Sequence, residues 1–155
     1  MKILKNIKDC YIHIPYTYKH IKAFDKLQKQ TFDKRKYLFH DWDKIFMYIF
    51  LPFLGTEKIK KIHRFISRHH IKMGQYSIRA YEEALIDWES GHLTKPDKPY
   101  NAAWTIKNKG KRDRFQNEYL EITLNRLHEL NPNIMTECIK YSLTEHIPLL
   151  EINEE

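Results

Sequence analysis

At 155 residues, with 42% hydrophobic and 14% aromatic side chains, the chain is long enough for one folded domain with a real core and too apolar for disorder. No apolar run reaches the ~18 residues of a membrane helix, and the N-terminus "MKILKNIKDC" lacks the apolar stretch of a signal peptide. A formal charge of +7 favours anionic partners such as nucleotides or nucleic acid, and two distant cysteines, Cys10 and Cys138, fit a reducing cytoplasm.

Long 3.6-residue periodicities dominate and strand-like alternation is scarce, which predicts an all-α bundle of about six helices in a single domain over 1–155. The first helix is expected from Thr17, after Pro15, to Phe32, with His20, Phe24, Leu27 and Thr31 on one face. The second runs from Asp33 to Phe50 and aligns Leu38, Asp41, Ile45 and Ile49, with Trp42 and Phe46 beside them. Pro52 and Gly55 break the chain before a third helix, Thr56 to Ile71, whose stripe Ile59, Ile62, Ile66 ends on His69. The fourth spans Ser77 to Ser90, with Gly91 as its stop. A loop by composition, "HLTKPDKPYN", comes next. The fifth helix is placed at Lys111 to Leu130 and the sixth at Ile134 to His146, before Pro148.

Nine histidines are many for this length, and five fall between residues 20 and 70. His20, His40 with Asp41, and Asp87 are predicted on inward faces of three separate helices, where polar groups are costly unless paired. Ala80, Ala84 and Gly91 flank Asp87 and let a neighbouring helix come close. Mixed nitrogen and oxygen donors of this kind suit Mn, Fe, Co, Ni or Zn. A buried dication explains why His40 and Asp41 tolerate the apolar frame "YLFHDWDKIF".

The set His20, His40-Asp41 and Asp87 resembles the signature of the HD-domain metal-dependent phosphohydrolase superfamily, with Lys44 of "FHDWDK" in the lysine position. "HRFISRHH" and "EEALIDWESG" are similar to a small HD-like group of bacteria and phages, in which Glu83, Asp87 and Trp88 match an E-x-x-x-DW segment. The resemblance covers roughly residues 16 to 105. It implies an all-α fold with His20, His40, Asp41 and Asp87 around a first ion, with His13 the alternative to His20 because the gap of twenty to His40 is short for that superfamily, and His63, His69 and His70 available for a second. Trp42 and Asp43 depart from the small aliphatic residue and the serine of those relatives.

The resemblance also implies hydrolysis of a phosphorylated small molecule, with a nucleotide or nucleotide-derived signal as substrate. His63 or His70 is expected to stabilise charge or protonate the leaving oxygen, Asp43 to act as a base, and Lys44, Arg64, Arg68 and Lys72 to hold phosphate. A different reading takes the chain as a non-catalytic basic module that docks nucleic acid, a nucleotide or a protein through "KNKGKRDR", residues 107 to 114. On that reading His69 and His70 sit at a helix C-terminus and favour its dipole.

Overall fold

The computed structural model describes residues 2–72, 75–98, 101–108 and 118–134. These residues are all-helical apart from loops and turns, with seven α-helices and a 3-10 turn among them. Most of the helix expected at Ile134 to His146, the start of the helix expected from Lys111, and most of the basic segment 107–114 lie outside the described residues.

The first helix, α1, spans Lys2–Phe32 and carries Pro15 in its interior. Its inward residues, Cys10, Ile14, Thr17, Ile21, Phe24, Gln28 and Thr31, recur at alternating steps of four and three. The expected start at Thr17 is therefore wrong. An internal proline costs a helical hydrogen bond and about 3 kcal/mol. The residues before it offset that cost by packing: Cys10 and Ile14 join Met47, Tyr48 and Ile59 in a small second core.

Residues 33–41 form no helix, which corrects the expected second helix. Asp33, at φ 56°, ends α1 in the left-handed conformation. Buried Gln28 then pins the loop, its side-chain oxygen accepting from the backbone N–H groups of Lys36 and Tyr37 at 2.8 Å each. Leu38 and Phe39 are consequently exposed instead of joining an apolar face. Helix α2, Trp42–Phe50, buries Ile45, Met47 and Tyr48, whereas Phe46 and Ile49 face outward.

A 3-10 turn, Pro52–Leu54, leads to Gly55 at φ 80°, a backbone conformation that favours glycine, where a Cβ would also crowd the end of the Asn6 side chain, 2.9 Å from its Cγ. Helix α3, Thr56–Ile66, is shorter than expected. Its buried face is Ile59 and His63, while Ile66 is exposed. The chain turns extended at Ser67, and His69 and His70 sit in the loop beyond it.

Helix α4, Ile78–Glu89, matches expectation, with Ser77 Oγ accepting from the Ala80 N–H at 3.2 Å as its N-cap. Ala80, Tyr81, Ala84, Leu85 and Ile86 are all fully buried, so α4 runs through the main core. The expected loop after Gly91 begins with a one-turn helix, α5, Gly91–Thr94. Helix α6, Ala102–Asn108, was not expected; Asn101 Oδ1 accepts from Trp104 N–H at its start. Helix α7, Glu118–Leu130, lays Leu120, Thr123, Leu124 and Leu127 against the main core. None of the described helices is long and apolar enough to cross a membrane.

Candidate metal centre

Four elements meet at one point. α1 delivers His20, the turn before α2 delivers His40 and Asp41, α3 delivers His63, and α4 delivers Glu83 and Asp87. The loop after α3 adds His69 and His70. His40, Asp41, His63 and His69 are each at most 3% exposed.

The HD pair owes its placement to a turn and not to a helix. Asp41 adopts φ 60°, ψ 1°, left-handed for a residue with a side chain. Such a conformation costs on the order of 1–3 kcal/mol and persists where its surroundings over-determine it. Phe24 stacks on the His40 ring, with centroids 3.7 Å apart and planes 7° from parallel, and fixes that imidazole from the core side.

Donors group around two neighbouring spots. At the first, His20 Nε2 and His40 Nε2 lie 2.7 and 3.2 Å from Asp87 Oδ1, and 3.8 and 3.9 Å from the Asp41 carboxylate. At the second, His63 Nε2 and His69 Nε2 lie 3.1 and 3.6 Å from Asp41 Oδ1, and His63, His69 and His70 bring nitrogens within 4.8 Å of one another. Asp41 belongs to both. Two ligands of one ion bound at ~2.0–2.3 Å stand roughly 3–4 Å apart, and most of these separations fall there.

The tautomers are set from outside the cluster. Thr94 Oγ1 donates to the Ser90 carbonyl, so at 3.2 Å from His20 Nδ1 it accepts the ring N–H. His63 Nδ1 meets Asp43 Oδ2 at 2.7 Å and Ser67 Oγ at 2.9 Å. Glu83 Oε1 serves two rings at once, 3.2 Å from His40 Nδ1 and 3.4 Å from His69 Nδ1. Four imidazoles thus have Nδ1 engaged outward and turn Nε2 inward, the arrangement in which a carboxylate behind a histidine orients it toward a metal.

With Nδ1 carrying the proton, each inward Nε2 is a lone pair facing carboxylate lone pairs. Such a contact is repulsive unless a cation lies between. Asp41 Oδ1, His63 Nε2, His69 Nε2 and His70 Nε2 are buried without a hydrogen bond; His63 Nε2 and Asp41 Oδ1 meet in distance but not in hydrogen-bond direction. Buried polar atoms are rarely left so. The donor set therefore fits one or two divalent ions: His20, His40, Asp41 and Asp87 for one, Asp41, His63, His69 and His70 for the other.

Without a metal, protons must take that place. Burial works against a charged His40, but Asp41, Asp87 and Glu83 outweigh it and raise its pKa to about 10. Burial likewise opposes the Asp41 and Asp87 carboxylates, yet His40 and His63 with Lys44 for the first, and His20 and His40 for the second, hold both well below the ordinary range. Glu83 is held at about 2, burial being overcome by His40 and His69. His70 goes the other way. Burial, then the neighbouring His69 and His63, push it down to about 3, so it is a neutral donor at physiological pH.

Of the remaining sequence candidates, Lys44 donates to Asp41 Oδ2 at 2.6 Å, and Lys44 and Arg64 line the cleft that opens onto the cluster. Arg68 and Lys72 are not among the residues lining that cleft; Lys72 instead bonds the Phe65 carbonyl and covers the Phe65 ring. Asp43 bonds His63 and also brings a carboxylate oxygen within 4.8 Å of ligand atoms of Asp41 and His63. Thr94 as partner of His20 was missed, and 74 residues separate the pair, beyond any local pattern. Lys60, Lys95 and Tyr16 also line the cleft, and no motif in the sequence marks them for it; His13, the alternative to His20, lines it too, but His20 is the one that meets Asp87.

No family model matches the chain, and no curated protein and no solved structure matches it either. What the fold and the cluster define is an all-helical protein with a buried histidine–aspartate centre able to hold metal.

Proposed function

We propose that the protein is a metal-dependent phosphohydrolase of the HD type, acting on a nucleotide or nucleotide-derived phosphoester. The observation that carries this reading is the inward turn of four imidazole Nε2 atoms onto Asp41 and Asp87, with Nδ1 of each ring held from behind. Support also comes from the cleft of about 390 Å³ lined by His20, Asp41, His63 and Asp87.

A divalent ion in such a centre supplies Lewis acidity: it polarises a phosphoryl oxygen and acidifies water. The chain's own residues do the rest. Lys44, on the cleft wall beside Asp41, places positive charge where the reacting phosphate enters, and Arg64 lines the same cleft. Asp43 and Glu83 lock the rings of His63, His40 and His69. His70, neutral and with Nε2 unengaged, suits a ligand or proton acceptor better than an acid.

Phosphate release would be measured from mono-, di-, tri- and cyclic nucleotides, with Mn²⁺, Co²⁺, Ni²⁺, Fe²⁺ or Mg²⁺ added separately to chelator-treated protein. The expected result is release that requires metal and falls by ~10²-fold or more in Asp41→Ala. No release from any pairing would refute the hydrolase and leave a metal-binding protein without turnover.

A further inference from the structure

Charge in the cleft is sorted by depth. Its acidic lining residues, Asp41 and Asp87, both belong to the metal centre at the floor. Four cations line it as well: Lys44, Lys60, Arg64 and Lys95. Lys44 is tied to Asp41 at the floor and Lys60 pairs with Glu57 of its own helix at 3.0 Å, while Lys60 and Arg64 are more open to solvent than Lys44. Lys60, Arg64 and Lys95 come from two elements: Lys60 and Arg64 stand one turn apart on α3, with His63 between them, and Lys95 caps α5. On the α1 side of the cleft, burial and then Lys60 and Lys95 lower the pKa of His13 against the opposing Asp9 and Glu57.

Helix α1 measures the distance from floor to mouth. His13, Tyr16, Thr17 and His20 all line the cleft and share one face of the helix. From His20 to His13 is seven residues, about 10 Å at 1.5 Å per residue. Tyr16 lies between, 40% exposed, with Lys95 Nζ 4.9 Å from its ring centroid. The cavity is small, at the low end of the ~300–1,000 Å³ of small-molecule sites.

We propose that Lys60, Arg64 and Lys95, with Tyr16 as a ring platform, form a second anion subsite at the cleft mouth. The substrate is then a nucleotide with a second phosphoryl group one to two helical turns from the reacting one, such as a nucleoside bisphosphate or a dinucleotide. A simple phosphomonoester fills only the floor. This assignment rests on the phosphohydrolase reading for the word substrate, but the subsite itself is made of residues that need no metal.

Binding of adenosine 3′,5′-bisphosphate, adenosine 5′-monophosphate, the dinucleotide pApA and a 5′-phosphorylated ten-nucleotide strand would be measured by calorimetry on metal-free and Mn²⁺-loaded protein. KM and kcat would be read for the same compounds. In both metal states the bisphosphate and the dinucleotide should bind about 10-fold or more tightly than the monophosphate, the scale of one added charge-assisted contact. Lys95→Met, which keeps the stem over Tyr16, and Arg64→Gln should each cut that preference about 10-fold, with unchanged helical circular dichroism. The ten-nucleotide strand should bind no more tightly than the dinucleotide. Equal affinity for mono- and bisphosphate, no bisphosphate binding below ~1 mM, or an undiminished preference in both variants would overturn the subsite. Tighter binding of the long strand would overturn the small-molecule assignment in favour of a nucleic-acid end. Preferential binding without turnover of any compound would sink the hydrolase and keep the subsite.

Discussion

Replacing Glu83 by glutamine keeps the side chain's volume and one acceptor and removes its charge. Glu83 touches no inward donor atom; it stands behind His40 and His69 at 3.2 and 3.4 Å and reaches both ion positions through them. Loss of a residue in that role lowers metal affinity by roughly 10–100-fold, or about 1.4–2.7 kcal/mol. A metal that binds only the folded state stabilises it by mass action, so at saturating metal that energy leaves the stability directly. At roughly 2–4 °C per kcal/mol for a chain of this size, the metal-induced rise in Tm should shrink by about 3–11 °C in Glu83→Gln. The assay is thermal unfolding by circular dichroism across a Mn²⁺ titration, each protein compared with itself in chelator. That internal comparison matters because the charge of Glu83 also stabilises protonated His40 in the metal-free protein. An identical metal-induced rise in wild type and variant would refute the role assigned to Glu83, and with it the inward orientation of the two rings.

The same geometry has other measurable consequences. Asp41→Ala removes the carboxylate common to both donor groups and should abolish all metal binding, whereas His70→Ala should lose one ion and keep the other; elemental analysis of both variants distinguishes these. Stability should respond to pH differently with and without metal. In the metal-free protein His40 is raised from 6.5 to about 10, so its contribution is complete below pH 6.5 and fades as pH climbs toward 10. The metal-bound form needs His40 unprotonated, so the metal-induced rise in Tm should grow over the same range; melts in chelator and in Mn²⁺ between about pH 6.5 and about pH 9 check both slopes. Phe24→Ala, at a fully buried ring stacked on His40, should cost about 3–5 kcal/mol and lower Tm in chelator by roughly 6–20 °C, and a Tm within ~2 °C of wild type would contradict the packing.

Side-chain type announced the centre more clearly than local conformation did. His20, His40, Asp41 and Asp87 were legible as a converging set because polar groups of ligand type stood out against apolar surroundings. Their backbone was not. The step from Asp33 to Asp41 has helical residues, but Gln28, buried in α1 and bonding the N–H groups of Lys36 and Tyr37, holds it as a loop, with Tyr37 tied to Glu82 and Arg35 to Asp25 at 2.7 Å each. Likewise the apolar stripe of α3 pointed through Ile66 to His69, but His63 took the inward position beside Ile59, and Ile66 was left in solvent. Pro15 reads locally as a boundary, yet Cys10 and Ile14 find partners in Tyr48 and Ile59, which no window of sequence around Pro15 contains. The outer partners of the histidines were the hardest to see. Glu83 stood one turn before Asp87 and could be found by that spacing, while Thr94 acts across the fold with no signal near His20.

The most direct test is the metal content of the wild-type protein, purified without chelator and without affinity nickel, by elemental analysis alongside Asp41→Ala. A centre in which four imidazoles and two aspartates face one another predicts about one to two equivalents of a divalent transition metal in the wild type and none in the variant. A metal-free wild type whose Tm no added Mn²⁺, Fe²⁺, Co²⁺, Ni²⁺ or Zn²⁺ raises would contradict it, and would leave the cluster as a proton-bridged network of histidines and carboxylates.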